Sequence, residues 1–207
     1  MIVRDGYSYI LVALLLAVLF AFTIHPYAAV VPLVFAVYFA YFFRNPERTI
    51  VQDDSVLVSP ADGTVMEIIP LESDDFVTGP CNKIVIFMSV FDVHVNRSPM
   101  TGKVMVQQYI CGRFKPAYKD SVGFINERHM IGIENEKVRI SVIQVAGILA
   151  RRIVSWVTLD DELEKGERYG MIKFGSCLEI VVPQNVEVTV EPGQKTRAGE
   201  TIIGRIN

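Results

Sequence analysis

From Tyr7 to Phe43 the chain contains no Asp, Glu, Lys or Arg, and its apolar run is broken once, at His25-Pro26. Each half is near the lower limit of about 17–25 residues for a helix crossing a bilayer. Proline opposes a continuous helix and biases the residue before it toward extended geometry. The pattern therefore predicts two short helices, about 7–24 and 27–43. Arg4 precedes the first; Arg44 and Arg48 follow the second. Basic ends stay in the cytoplasm, so both ends belong on that side and the segment reads as a transmembrane hairpin. It is too long for a cleaved signal peptide, and no small-residue cleavage site follows it. The expected location is the cell membrane, with the remainder of the chain on the cytoplasmic face.

After residue 44 the pattern changes to short β-rich runs separated by Gly, Pro and Asp turns. Val56–Val58, Thr64–Ile69, Lys83–Met88, Lys103–Ile110 and Lys137–Val145 read as strands, as do Met171–Phe174, Leu178–Val182, Val186–Val190 and Thr201–Ile206. His129 sits at a strand start. A helix is expected around Gly147–Trp156, with Ile148, Leu149 and Ile153 inward. Asp160–Glu167 reads as a polar connection turning at Gly166. Pro60 to Val65 echoes Pro99 to Val104 in a P-x-x-G-x-V pattern. The expected organisation is a membrane hairpin, 1–44, followed by one domain, 45–207. The fold class is mostly β (α+β), a compact β-barrel or sandwich with lipoyl-like strand patterning. The lysine motif at a hairpin tip that lipoyl and biotinyl carriers need is missing.

The formal net charge of -3 gives no basis for a nucleic-acid-binding role. Cys81, Cys111 and Cys177 are an odd number without C-x-x-C spacing, which argues against a disulfide framework or a metal knuckle. No metal site is expected. The candidate chemistry lies elsewhere. Gly175 directly precedes Ser176 between two apolar runs, and a glycine lets the backbone bend so that the hydroxyl approaches the carbonyl before it. His94 lies in Phe91-Asp92-Val93-His94-Val95-Asn96-Arg97, where alternation would put Asp92 and His94 on one face. Asp62 lies in the turn Ser59-Pro60-Ala61-Asp62-Gly63. An aspartate, a histidine and a serine have the chemistry of an orienter, a base and a nucleophile; as single residues, each also has an ordinary structural reading.

Five ordered stretches together resemble the phosphatidylserine decarboxylase family, in particular its short microbial branch, which includes enzymes of archaeal-type lipids. They are Phe43 to Arg48, Ser59 to Val65, Phe91 to Arg97, Gln144-Val145-Ala146-Gly147 with Ala150 to Ile153, and Gly166 to Ser176. The resemblance spans about Arg44 to Pro183. It implies a proenzyme that cuts itself between Gly175 and Ser176, giving a β chain (1–175) and an α chain (176–207) that stay associated. Asp62, His94 and Ser176 are implied as the self-processing triad. The implied cofactor is a covalent pyruvoyl group made from Ser176, whose ketone forms a Schiff base with the serine-headgroup amine and takes up the electrons released with carbon dioxide.

The implied substrate is an aminophospholipid, phosphatidylserine or archaetidylserine, converted to the ethanolamine lipid. Certain longer relatives carry a second histidine three positions before the one matching His94, and here that position is Phe91. Cys177, after the nucleophile, reads as a packing residue. Arg97, Arg113, Lys115, Arg151 and Arg152 are the candidates for the lipid phosphate. Self-association is left open. The alternative reading is a non-enzymatic, membrane-tethered biotinyl-like or phosphocarrier β-domain, with His94 as the phosphorylated residue.

Overall fold

The computed structural model describes residues 1–112, 126–147, 152–173 and 176–207, with Ser176 described by its backbone. The expected helix at 147–156 lies partly outside these residues. The chain forms two compact units, Met1–Glu47 and Arg48–Asn207.

In the first unit, α1 (Tyr7–Thr23) and α2 (Val30–Phe42) are joined by a 3-10 turn at Pro26–Ala29. Pro26 begins that turn, and the His25 Nδ1 accepts the Tyr27 amide at 3.3 Å. Ala13 and Ala17 of α1 are buried, as are Pro32 and Ala36 of α2. Such small residues one turn apart let helices approach closely. The Tyr9 ring lies 5.6 Å from Phe39 and 5.1 Å from Phe43. Most other large apolar side chains on both helices, among them Leu15, Phe22, Val34 and Val37, are exposed. Both ends of the hairpin meet: the Val3 amide donates to the Phe43 carbonyl and Asn45 to that of Met1. The helix Arg4–Thr23 is long and apolar enough to cross a membrane by length and composition.

The second unit is built from antiparallel strands. These are β1 (Val56–Val58), β2 (Gly63–Leu71), β3 (Cys81–Met88), β4 (Val95–Arg97), β5 (Gly102–Ile110), β6 (Arg128–Glu134) and β7 (Arg139–Ala146). They continue with β8 (Arg152–Ser155), β9 (Glu162–Leu163), β10 (Arg168–Lys173), β11 (Ser176–Pro183), β12 (Val186–Val188), β13 (Lys195–Thr196) and β14 (Ile202–Ile206). The main sheet has the order β13-β2-β3-β11-β7-β6-β5-β9 and curls into a half-barrel. Two smaller sheets, β4-β10-β8 and β1-β14-β12, accompany it. The protein is thus mostly β with an apolar N-terminal helix, as expected.

Alternation explains the layering. Ile84, Ile86 and Met88 of β3, Leu178 and Ile180 of β11, and Ile140 and Val142 of β7 enter the main core. The residues between them, Val85, Cys177 and Val145, form a separate cluster on the other face. That face is covered in part by the loop before β3: the Ser141 hydroxyl donates to Asp74 at 2.6 Å, and Phe76 packs on Gly132. Both faces of the central strands are therefore shielded, which is why they read as near-continuous apolar runs.

The P-x-x-G-x-V echo is an internal two-fold. The Val58 amide donates to the Pro99 carbonyl (3.0 Å) and the Arg97 amide to that of Pro60 (2.9 Å). The Ser59 hydroxyl donates to the Ala61 carbonyl, as Ser98 does to that of Met100. The Gly199 amide donates to the Ser59 carbonyl, as Gly166 does to that of Ser98.

Three expectations are corrected. Arg152–Ser155 is a strand paired with Met171 and its neighbours, not part of a helix; the β-branched pair Ile153-Val154 suits a pleated surface better than a helix turn. Residues 89–94 form a turn, in which the Asp92 carboxylate accepts the Ser89 amide at 2.8 Å, so Asp92 and His94 do not share a strand face. The connection 160–167 contains β9, which pairs with β5 at Gly102 and Lys103.

Candidate active site

Ser176 opens β11, the strand between β3 and β7, with Met88 and Ala146 as its register partners. The preceding strand β10 ends at Lys173, so Gly175 and Phe174 fall in the two-residue link and lie outside the described residues. Two routes of chain lead to His94. The turn after Met88 reaches it within six residues, and its carbonyl accepts the Ile172 amide at 3.3 Å, near the end of β10. Asp62 precedes Gly63 at the head of β2, where Thr64 is opposite Phe87, one residue short of Met88. The backbone register thus gathers Asp62, His94 and Ser176 at one end of the central strands.

His94 is completely buried. Its Nδ1 lies 3.0 Å from the Asp92 carbonyl oxygen. A carbonyl only accepts, so Nδ1 carries a proton, and in the neutral form of the ring the lone pair sits on Nε2. A histidine held in one tautomer by a backbone carbonyl is suited to act as a base at the other nitrogen.

Asp62 is bonded elsewhere. The Arg48 Nη2 donates to Oδ1 at 2.9 Å and Oδ2 at 2.7 Å, and the Ala198 amide donates to Oδ1 at 2.8 Å. Among the described residues these are its hydrogen-bond donors, and His94 is not one of them. Arg48, expected as a basic flank of the hairpin, is instead buried against this carboxylate, with its side chain 7% exposed.

A directed chain of hydrogen bonds runs under the site. Gln107 Nε2 donates to His129 Nε2 (3.0 Å), His129 Nδ1 to Gln144 Oε1 (3.2 Å), and Gln144 Nε2 to Asn96 Oδ1 (2.8 Å). Asn96 Nδ2 faces the sulfur of Met88, a register partner of Ser176, at 3.8 Å. Burial lowers the His129 pKa from its ordinary value, which favours the neutral ring, and Gln107 Nε2, which also donates to the Val157 carbonyl at 3.0 Å, sets the direction. Nearby, burial and a hydrogen bond from its hydroxyl to Glu127 push Tyr109 up to about 12. Gln107 was not singled out by sequence, Asn96 and Gln144 entered only as parts of motifs, and Arg48 only as a hairpin flank and the end of a motif; alternation along β6 and β7 shows just that His129 and Gln144 face inward.

The Cys177 side chain packs with Val85 and Val145 on the far face, and burial raises its pKa, so it is a thiol. Of the phosphate candidates, Arg97 donates to the Gly166 carbonyl at 2.8 Å and lies close to Asp62 and Arg48. Arg152 starts β8 opposite Lys173 and is exposed. Arg113, Lys115 and Arg151 lie outside the described residues. Among the described residues no cluster of His, Cys, Asp and Glu could hold a metal ion.

The family described as phosphatidylserine decarboxylase matches residues 35–204. The phosphatidylserine decarboxylase proenzyme of Symbiobacterium thermophilum is 44% identical over 206 residues, covering 99% of this chain and 95% of its own. That of Carboxydothermus hydrogenoformans is 46% identical over 204 residues, covering 98% and 95%. That of Syntrophus aciditrophicus is 42% identical over 205 residues, covering 98% and 96%. With this match running almost end to end, the chain belongs to the phosphatidylserine decarboxylase family.

Proposed function

We propose that this protein is a membrane-anchored proenzyme that cuts itself between Gly175 and Ser176 and then decarboxylates a serine phospholipid to the ethanolamine lipid. The observation that carries the reading is the position of Ser176: the first residue of a central strand, with the buried His94 reached by the turn after the neighbouring β3 and bonded through its carbonyl to Ile172 of β10, the strand that precedes Ser176 in the chain. In self-processing, the His94 Nε2 lone pair takes the Ser176 hydroxyl proton, and the oxygen attacks the Gly175 carbonyl carbon. The amide becomes an ester, and elimination across the Ser176 Cα–Cβ bond releases residues 1–175 with a new carboxylate. The α chain would then begin at the site of Ser176.

The residues fit a covalent pyruvoyl group at that point. Its backbone neighbours Met88 and Ala146 are uncharged and buried. Such a group supplies a carbonyl that captures a primary amine and acts as an electron sink for decarboxylation. In this reading His94 returns a proton to the headgroup carbon after carbon dioxide leaves. The exposed Arg152 is the phosphate partner best supported among the described candidates, since Arg97 is engaged with Gly166. The charge-free hairpin supports anchoring, and a two-chain lipid seldom leaves the bilayer, so an enzyme working on its headgroup gains from being held there. The cytoplasmic face is favoured by Arg4 and Arg44 at the two ends of the hairpin.

The test is intact mass of the purified protein, with release of carbon dioxide from phosphatidylserine and from archaetidylserine as the activity assays. The expected result is two fragments, 1–175 and 176–207, the smaller blocked to Edman degradation. Ser176→Ala stays one chain and is inactive. An active preparation that is a single uncut chain overturns the reading.

A further inference from the structure

We infer that Arg48 is a positioning residue for Asp62 in self-processing, an assignment that rests on the proenzyme reading above. Arg48 meets both carboxylate oxygens of Asp62 with one guanidinium nitrogen, while its Nη1 lies 3.6 Å from Glu200. The two side chains are 7% and 15% exposed, so water contributes little to holding the carboxylate. The next two residues lock this segment in place. The Thr49 amide donates to Glu200 at 3.1 Å, and the Ile50 side chain covers Gly166 and Gly199.

The internal two-fold supplies a control within the same molecule. The position equivalent to Asp62 is Thr101, and the amide equivalent to that of Ala198 is that of Lys165, which donates to the Thr101 hydroxyl at 3.1 Å. Both turns have the same serine-to-carbonyl bond and the same crossed backbone bonds. The second turn is thus completed by a neutral hydroxyl. The carboxylate and its arginine exceed what the turn requires, and they occur only in the copy that leads into β2 beside Met88, the partner of Ser176. The Arg48 Nη2 spanning both oxygens on one side and a backbone amide on the other leave the Asp62 carboxylate a single orientation. Arg48 touches neither Ser176 nor a substrate in this scheme; it acts through Asp62.

The experiment follows chain cleavage over time in cell-free synthesis of the full chain with detergent micelles, using Arg48→Lys, Arg48→Gln, Arg48→Met and Asp62→Thr. Loss of a charged hydrogen bond is expected to slow cleavage about ten- to hundredfold in Arg48→Met and Arg48→Gln. Arg48→Lys recovers part of the rate, because the charge remains while the planar guanidinium that spans Asp62 and Glu200 is lost. Asp62→Thr, which copies the counterpart turn, folds but stays one chain. Arg48→Gln can still donate hydrogen bonds, so a merely structural role would leave it cleaving like the wild type; that result overturns the inference. So does Arg48→Lys as slow as Arg48→Met, or an Asp62→Thr chain that fails to fold. Should Arg48→Met not fold, the comparison of Lys with Gln decides alone. An uncut wild type, or a cut Ser176→Ala, sinks the proenzyme reading instead and is distinguishable from all of these.

Discussion

Gly166 and Gly199 face each other across the internal two-fold, both with positive φ (77° and 80°), and the Ile50 δ-methyl covers both. A Cβ at Gly166 would stand 2.3 Å from that methyl, and one at Gly199 2.7 Å. Alanine at either position combines an unfavourable backbone region with a clash. Each substitution is expected to cost about 1–3 kcal/mol of stability, with Gly166 the worse. Thermal unfolding of the two variants checks this; equal stability to wild type would mean that Ile50 withdraws freely.

Tyr169 is completely buried, and among the described residues its hydroxyl has no hydrogen-bond partner. It falls where the register of β10 against β4 slips between Arg168 and Gly170. An unpaired buried hydroxyl costs about 1–3 kcal/mol. Tyr169→Phe keeps the ring and removes the cost, so its melting temperature should match or exceed that of the wild type. A drop of several degrees would reveal a partner for the hydroxyl.

Lys83 and Glu179 pair at 3.5 Å on adjacent central strands, each side chain 10% exposed. Burial raises the Glu179 pKa even beside this lysine. Lys83→Met strands the carboxylate and is expected to destabilise by about 3–5 kcal/mol. The double variant Lys83→Met, Glu179→Met should recover most of that loss, because well-packed apolar pairs replace buried ion pairs at little cost. Chemical denaturation of the three variants measures the recovery.

His129 gives a pH dependence with a definite sign. Its folded pKa lies below the ordinary histidine value, so below about pH 6.5 the unfolded chain binds a proton that the folded chain refuses. Stability therefore falls as pH drops through that window. His129→Gln removes this contribution, so its melting temperature should change less between pH 7.5 and 5.5 than that of wild type. An identical acid sensitivity would assign the effect to other groups. Gln144→Leu breaks the chain at its centre and leaves Asn96 and His129 each short of a partner. It is expected to lower stability by about 1–3 kcal/mol, measured by thermal unfolding.

Much of the scaffold was legible in residue pattern. Short β-rich runs bounded by turn residues, Lys83–Met88 and Leu178–Val182, revealed the central strands; they are near-continuously apolar because both of their faces are shielded. Arg128–Glu134 was harder: Gly132 is there to seat Phe76, and the inward His129 is polar because it bonds Gln144, so the apolar rhythm is broken. Arg152–Ser155 was mistaken for helix because four residues beside an apolar run fit either period. The pair Asp92 and His94 looked like strand neighbours, but Asp92 closes a turn with Ser89 and the strand begins only at Val95.

By itself, the sequence determined the charge-free N-terminal run, the β-rich remainder, the repeated turn and the Gly175-Ser176 junction, since each depends on residues close together in the chain. Tertiary structure alone decided that Arg48 grips Asp62, that Ile50 seals two glycines, and that Gln107, His129, Gln144 and Asn96 form one directed chain. Those contacts join segments that meet only when the sheet folds. A side chain's local pattern can tell which face it takes, but its partner is chosen by the register and curl of the sheet.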